Sequence, residues 1–165
     1  MITPFYDPLK ILKSDLPRIK KDDVVFLGCS YTSGVGLPDQ TTNWTSIFSN
    51  TIEKNQVNFA IGGLNNYSSF DLFSQLEFES DQNVVVLEIT ELARIQWYDQ
   101  RLHNVMLQWD KSRLLLPVYN DHFLIFELLK TLRYFVMVCR LKNLRPIIWS
   151  IARPGLLIGV LENYL

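Results

Sequence analysis

The strongest constraint on the fold is a set of short, nearly unbroken apolar runs separated by helix-patterned stretches. The clearest is Val84-Val85-Val86-Leu87-Glu88-Ile89, and Val24-Val25-Phe26-Leu27-Gly28 is a second. A strand that is apolar on both faces belongs inside a sheet covered by helices on either side, which is the habit of parallel sheets. Val57-Asn58-Phe59-Ala60 and Pro146-Ile147-Ile148-Trp149-Ser150 complete four predicted strands. Between them Asn43 is placed to cap a helix carrying Trp44, Ile47, Phe48 and Ile52, Phe70, Phe73, Leu76 and Phe78 mark another, and a long helix is predicted over 123–142. Thr90 to Pro117 reads as irregular or partly helical. The alternation predicts an α/β fold, a three-layer αβα sandwich around a mainly parallel sheet.

A chain of 165 residues, 48% hydrophobic and 20% charged, suits one domain over 1–165, with a polar N-terminal extension over 1–21 broken by Pro4, Pro8 and Pro17. The net charge of -1 offers no basic field for nucleic acid, so no nucleic-acid partner is expected. Charge is nonetheless uneven: residues 111–165 hold eight basic and three acidic residues, residues 1–110 eight and fourteen. Two cysteines, Cys29 and Cys139, and a start with no apolar core point to a reducing, cytoplasmic setting. The apolar stretch from Phe123 to Leu141 carries Glu127, Lys130, Arg133 and Arg140, so it reads as an amphipathic helix and no membrane partner is expected. The oligomeric state is left open.

In sheets of this kind ligands bind beyond the carboxyl ends of the strands. The first such end reads Gly28-Cys29-Ser30-Tyr31-Thr32-Ser33-Gly34-Val35-Gly36. It has no lysine for a phosphate loop and lacks the third glycine of a dinucleotide fingerprint. Thr32 stands where a Gly-x-Ser-x-Gly nucleophile elbow needs its last glycine. A serine two residues past the strand remains, either as a helix cap or as a nucleophile beside backbone N–H groups that can hold an oxyanion. Residues 26–36 resemble the first block of the SGNH/GDSL hydrolase family, in a Gly-Cys-Ser form of Gly-Asp-Ser. Asn58-Phe59-Ala60-Ile61-Gly62-Gly63-Leu64-Asn65 is similar to its second block.

That resemblance implies a serine esterase or acyl hydrolase acting on a small-molecule or carbohydrate ester, with no cofactor. It implies Ser30 as nucleophile, and the Ser30 and Gly63 N–H groups as oxyanion donors. Thr90 stands at the place of the family's donor asparagine, within Glu88-Ile89-Thr90-Glu91 where the family has Gly-x-Asn-Asp. Asn65 and Arg94 fall to substrate binding. The departure is larger at the family's last block, Asp-x-x-His. His103 and His122 are the two histidines, they follow Gln100 and Tyr119 at the required spacing, and both precede the long helix. Without a base a serine hydroxyl is a poor nucleophile at neutral pH. Two expectations therefore stand side by side: an acyl hydrolase, C-terminally truncated with four strands where the family has five, or a non-catalytic binding module on the same fold. Gly62-Gly63 also reads as a plain tight turn, Cys29 as a small buried filler, and Asp121 as a helix cap beside His122. No His/Cys/Asp/Glu cluster has metal-ligand spacing, so no metal is expected.

Overall fold

The computed structural model describes residues 16–90, 96–98, 104–106 and 121–150. Its centre is a four-stranded parallel sheet in the order β2-β1-β3-β6, built from β1 (Asp23–Leu27), β2 (Asn55–Asn58), β3 (Val84–Ile89) and β6 (Arg145–Ser150). The helices are α1 (Ser30–Ser33), α2 (Trp44–Thr51), α3 (Asn66–Gln75) and α4 (Asp121–Leu141). The α/β class and the parallel sheet are those expected, and the order places the switch point between β1 and β3.

Each face of the sheet is covered. Val25, Leu27, Val85, Leu87 and Ile89 point to one side, where they meet Leu72, Phe73 and Leu76 of α3 and Leu128, Leu132, Phe135 and Cys139 of α4. The spacing of those α4 residues is one helical stripe. Phe73 sits at its centre, with the Phe135 ring 4.9 Å away. Val24, Phe26 and Val86 point to the other side and meet Trp44, Phe48 and Ile52 of α2. Burying a side chain such as Phe26 or Leu132 contributes about 1.5–3 kcal/mol.

Local signals account for most of the helix ends. Asn43 Oδ1 accepts from Thr45 N, as the cap reading requires. The end of α4 is a Schellman motif: Leu144 N donates to Cys139 O at 2.8 Å and Asn143 N to Arg140 O at 3.1 Å, with Asn143 in the left-handed region at φ 52°. No helix among the described residues is long and apolar enough to cross a membrane.

Three boundaries differ from expectation. Strand β2 lies two residues earlier, because it is an edge strand whose exposed Asn55 and Gln56 carry no hydrophobic signal. It ends at Asn58, whose Oδ1 accepts the N–H of Ala60 at 3.0 Å, and beyond it Phe59 N still donates to Phe26 O at 2.9 Å. The segment expected to be irregular or partly helical contains a short antiparallel pair, β4 (Gln96–Tyr98) with β5 (Asn104–Met106). Local propensity alone does not reveal such three-residue pairing. The described part of the N-terminal extension is anchored: Ile19 is fully buried, its N donates to Glu77 O at 2.9 Å, and its O accepts from Glu79 N at 2.8 Å.

Candidate functional site

The chain leaves β1 at Leu27, passes Gly28, and enters α1 with Cys29 at the cap position and Ser30 as the first helical residue. Ser30 is half-buried. Its N–H belongs to the first turn of a helix, where backbone donors have no intrahelical acceptor. The Ser30 Oγ lies 3.9 Å from Cys29 Sγ, and no imidazole is among the described side chains. The far side of this turn is held by side chains from elsewhere. Thr32 O accepts from Asn58 Nδ2 at 2.7 Å and from Asn43 Nδ2 at 3.1 Å. Gly34 closes α1 at φ 73°, and a Cβ there would lie 2.7 Å from Asn43 Nδ2 and 2.7 Å from Gln40 Oε1, so this position requires glycine. Beyond it Asp39 accepts from the Thr41 hydroxyl at 2.6 Å and from Thr41 N at 2.8 Å, and these two bonds hold its carboxyl below the ordinary carboxylate range.

The second segment arrives from β2. Ile61 N donates to Gly28 O at 3.2 Å, and Leu64 N closes the turn on Ile61 O at 3.0 Å. This brings Gly62 against the serine turn: a Cβ added there would lie 3.2 Å from Val35 Cγ2 and 3.9 Å from Ser30 Cβ. Gly63 follows at φ 85°. Asn65, expected at substrate, is 3% exposed, and its Oδ1 caps α3 by accepting from Ser68 N at 2.7 Å.

The third segment is the end of β3. Thr90 is 3% exposed, and its Oγ1 has no hydrogen-bond partner among the described residues. Its backbone is clasped from α3, with Thr90 N donating to Asn66 Oδ1 at 2.8 Å and Asn66 Nδ2 donating to Thr90 O at 3.3 Å. Two residues earlier Glu88, 1% exposed, accepts from Cys29 N at 2.9 Å, from Thr32 Oγ1 at 2.6 Å and from Cys29 Sγ at 3.2 Å. Cys29 is buried as expected, but it is a hydrogen-bond donor as well as a filler.

The structure thus gathers the β1, β2 and β3 ends at one edge of the sheet. Asn58, Asn66 and Glu88 tie them together. The roles of Asn66 and Glu88 had no sequence signal, since each partner is distant in the chain. Arg94 and His103 lie outside the described residues, and His122 is the second residue of α4, its side chain outside them too. Exposed Tyr31, Val35 and Tyr67 belong to the same serine and glycine segments. Among the described residues no group of three His, Cys, Asp or Glu side chains could hold a metal ion.

No protein-family model matches the sequence, and no curated protein matches it. Solved structures do. One is an inferred lipolytic protein of the G-D-S-L family from Desulfitobacterium hafniense DCB-2, 13% identical, with a TM-score of 0.47, over 87% of this chain and 67% of that one. Another is an inferred acylhydrolase from Bacteroides fragilis NCTC 9343, 15% identical, with a TM-score of 0.49, over 90% of this chain and 64% of that one. The chain spans about two thirds of their lengths. The fold assignment rests on the strand order and register of the chain itself.

Proposed function

We propose that the chain is an SGNH/GDSL-like serine esterase or acyl hydrolase. Ser30 Oγ attacks an ester carbonyl, and the N–H groups of Ser30 and Gly63 hold the oxyanion with the Thr90 hydroxyl as third donor. The observation that carries this reading is the approach of the Gly62-Gly63 turn to Ser30, fixed by the bond from Ile61 N to Gly28 O. A serine at a helix start with a second backbone turn beside it offers N–H groups from both segments, which oxyanion stabilisation needs. The buried Thr90 Oγ1, without a partner among the described residues, supports the third donor, because a buried hydroxyl is costly unless something accepts from it. Carbohydrate O-acyl groups are the substrate class that the family resemblance suggests.

A second reading, a non-catalytic binding module on the same fold, is favoured by Thr90 in the asparagine place and by the lack of Asp-x-x-His in these 165 residues. Short-chain p-nitrophenyl esters and a fluorophosphonate probe separate the two. The hydrolase reading expects turnover and covalent labelling by the wild type and neither by Ser30→Ala. Equal rates for the two proteins, with no label at Ser30, establish the binding module instead.

A further inference from the structure

We propose that Glu88 is a positioning residue for Ser30, a shared acceptor that locks the turn on both sides of the nucleophile. The inference rests on the serine reading above. Glu88 reaches the turn from β3, 58 positions later in sequence than Ser30, and it takes three donors there: the backbone N–H and thiol of Cys29, just before Ser30, and the hydroxyl of Thr32, just after it. Carboxyl oxygens accept, and all three contacts are donors, so the two sides match group for group. The 2.6 Å bond from Thr32 is at the short end of hydroxyl hydrogen bonds.

The fit leaves no room for an alternative. A Cβ at Gly28 would lie 2.5 Å from Glu88 Oε2 and 2.6 Å from Glu88 Cβ, and Gly28 holds φ 155°. The glycine therefore serves the glutamate as much as the turn. Because Cys29 N is already given to Glu88, the donor this turn offers the oxyanion, beside Gly63 and Thr90, is the Ser30 N–H, whose direction is set by the residues clamped on either side of it. Cys29 also gains a reason to be cysteine. An aspartate there, as in the Gly-Asp-Ser spelling, would set a second carboxylate about where the thiol now donates, and two like charges in a buried site oppose each other.

The test is a donor–acceptor swap. In Cys29→Asp the two carboxylates face one another, and Tm falls by about 10 °C. Adding Glu88→Gln restores at least half of that loss, because the glutamine amide can donate to Asp at 29 while its oxygen keeps the bonds from N of residue 29 and from Thr32. Additive effects of the two substitutions would overturn the shared-acceptor role. In ester turnover, Glu88→Ala lowers kcat about 10²-fold with KM within about twofold, the signature of a displaced nucleophile, and Glu88→Gln falls between Ala and the wild type. Wild-type kcat in folded Glu88→Ala overturns the positioning role. If the wild type neither turns over ester nor labels at Ser30 while the thermal cycle shows the coupling, it is the serine reading that fails, and the two failures are told apart.

Discussion

The two faces of the sheet are built on different principles. On the α3 and α4 side, fifteen buried residues among those described, from Ile19 to Leu144, form one continuous apolar cluster. On the α2 side the described cluster has three fully buried members, Val24, Phe26 and Val86, with half-buried Trp44, Phe48 and Trp149 around them. Glu88 belongs to this second face: in register with Trp149, it continues the line of Val84 and Val86. Toward the carboxyl end of the strands, apolar packing here gives way to a hydrogen-bonded polar network. The first face supplies stability, and the second holds the geometry of the candidate site. Polar networks fix direction where apolar contacts do not, at the cost of desolvating every member.

The contrast is most easily broken at its strong side. Phe73→Ala, which empties the centre of the cluster, is expected to cost about 3–5 kcal/mol in urea unfolding. A cost under about 1 kcal/mol would show that the α3 and α4 face is not the stabilising one.

A second expectation concerns pH. Burial pushes the Cys139 thiol up to about 12 from its ordinary 9.0, with Lys142 opposing. A buried thiol that stays protonated while the unfolded chain ionises loses stability as pH rises, beginning near 9.0 and continuing toward about 12. Urea unfolding from about pH 8 to about pH 10 checks it: the wild type declines, and Cys139→Ala, although less stable throughout, declines less steeply. Parallel slopes would remove Cys139 as a cause.

The smallest effect is expected on the second face, at β6. Ile147 is 40% exposed, and Ile147→Ser should stay within about 0.5 kcal/mol of the wild type. A larger loss would mean that this part of the sheet is covered more tightly than the α2 packing accounts for.

Much of this was legible along the chain. The runs at Val24 and Val84 found their strands, and Asn43 announced α2 with a cap that the structure confirms. These signals are local: a cap needs two or three residues, and a buried strand needs one apolar run. Strand β2 lies away from its expected place because an exposed edge has no apolar pattern, and the β4–β5 pair leaves no signal because three-residue strands have too few positions to show a period. At the candidate site Ser30 stands out by its place past the first strand and Gly63 by the family resemblance, and the turn that contains Gly63 lies against Ser30. Asn65, which the resemblance gives to substrate binding, is buried, and its Oδ1 caps α3.

The amino-acid sequence by itself determined the kind of layers, the order of strands and helices, and the presence of a serine at the first strand end. Tertiary structure alone decided what holds that serine. The bonds from Cys29 and Thr32 to Glu88, and from Asn66 to Thr90, join residues 24 to 59 positions apart. Such pairs leave no periodic trace, because hydrogen bonds between strand ends depend on which strands become neighbours. That choice is made only when the two faces of the sheet are buried together.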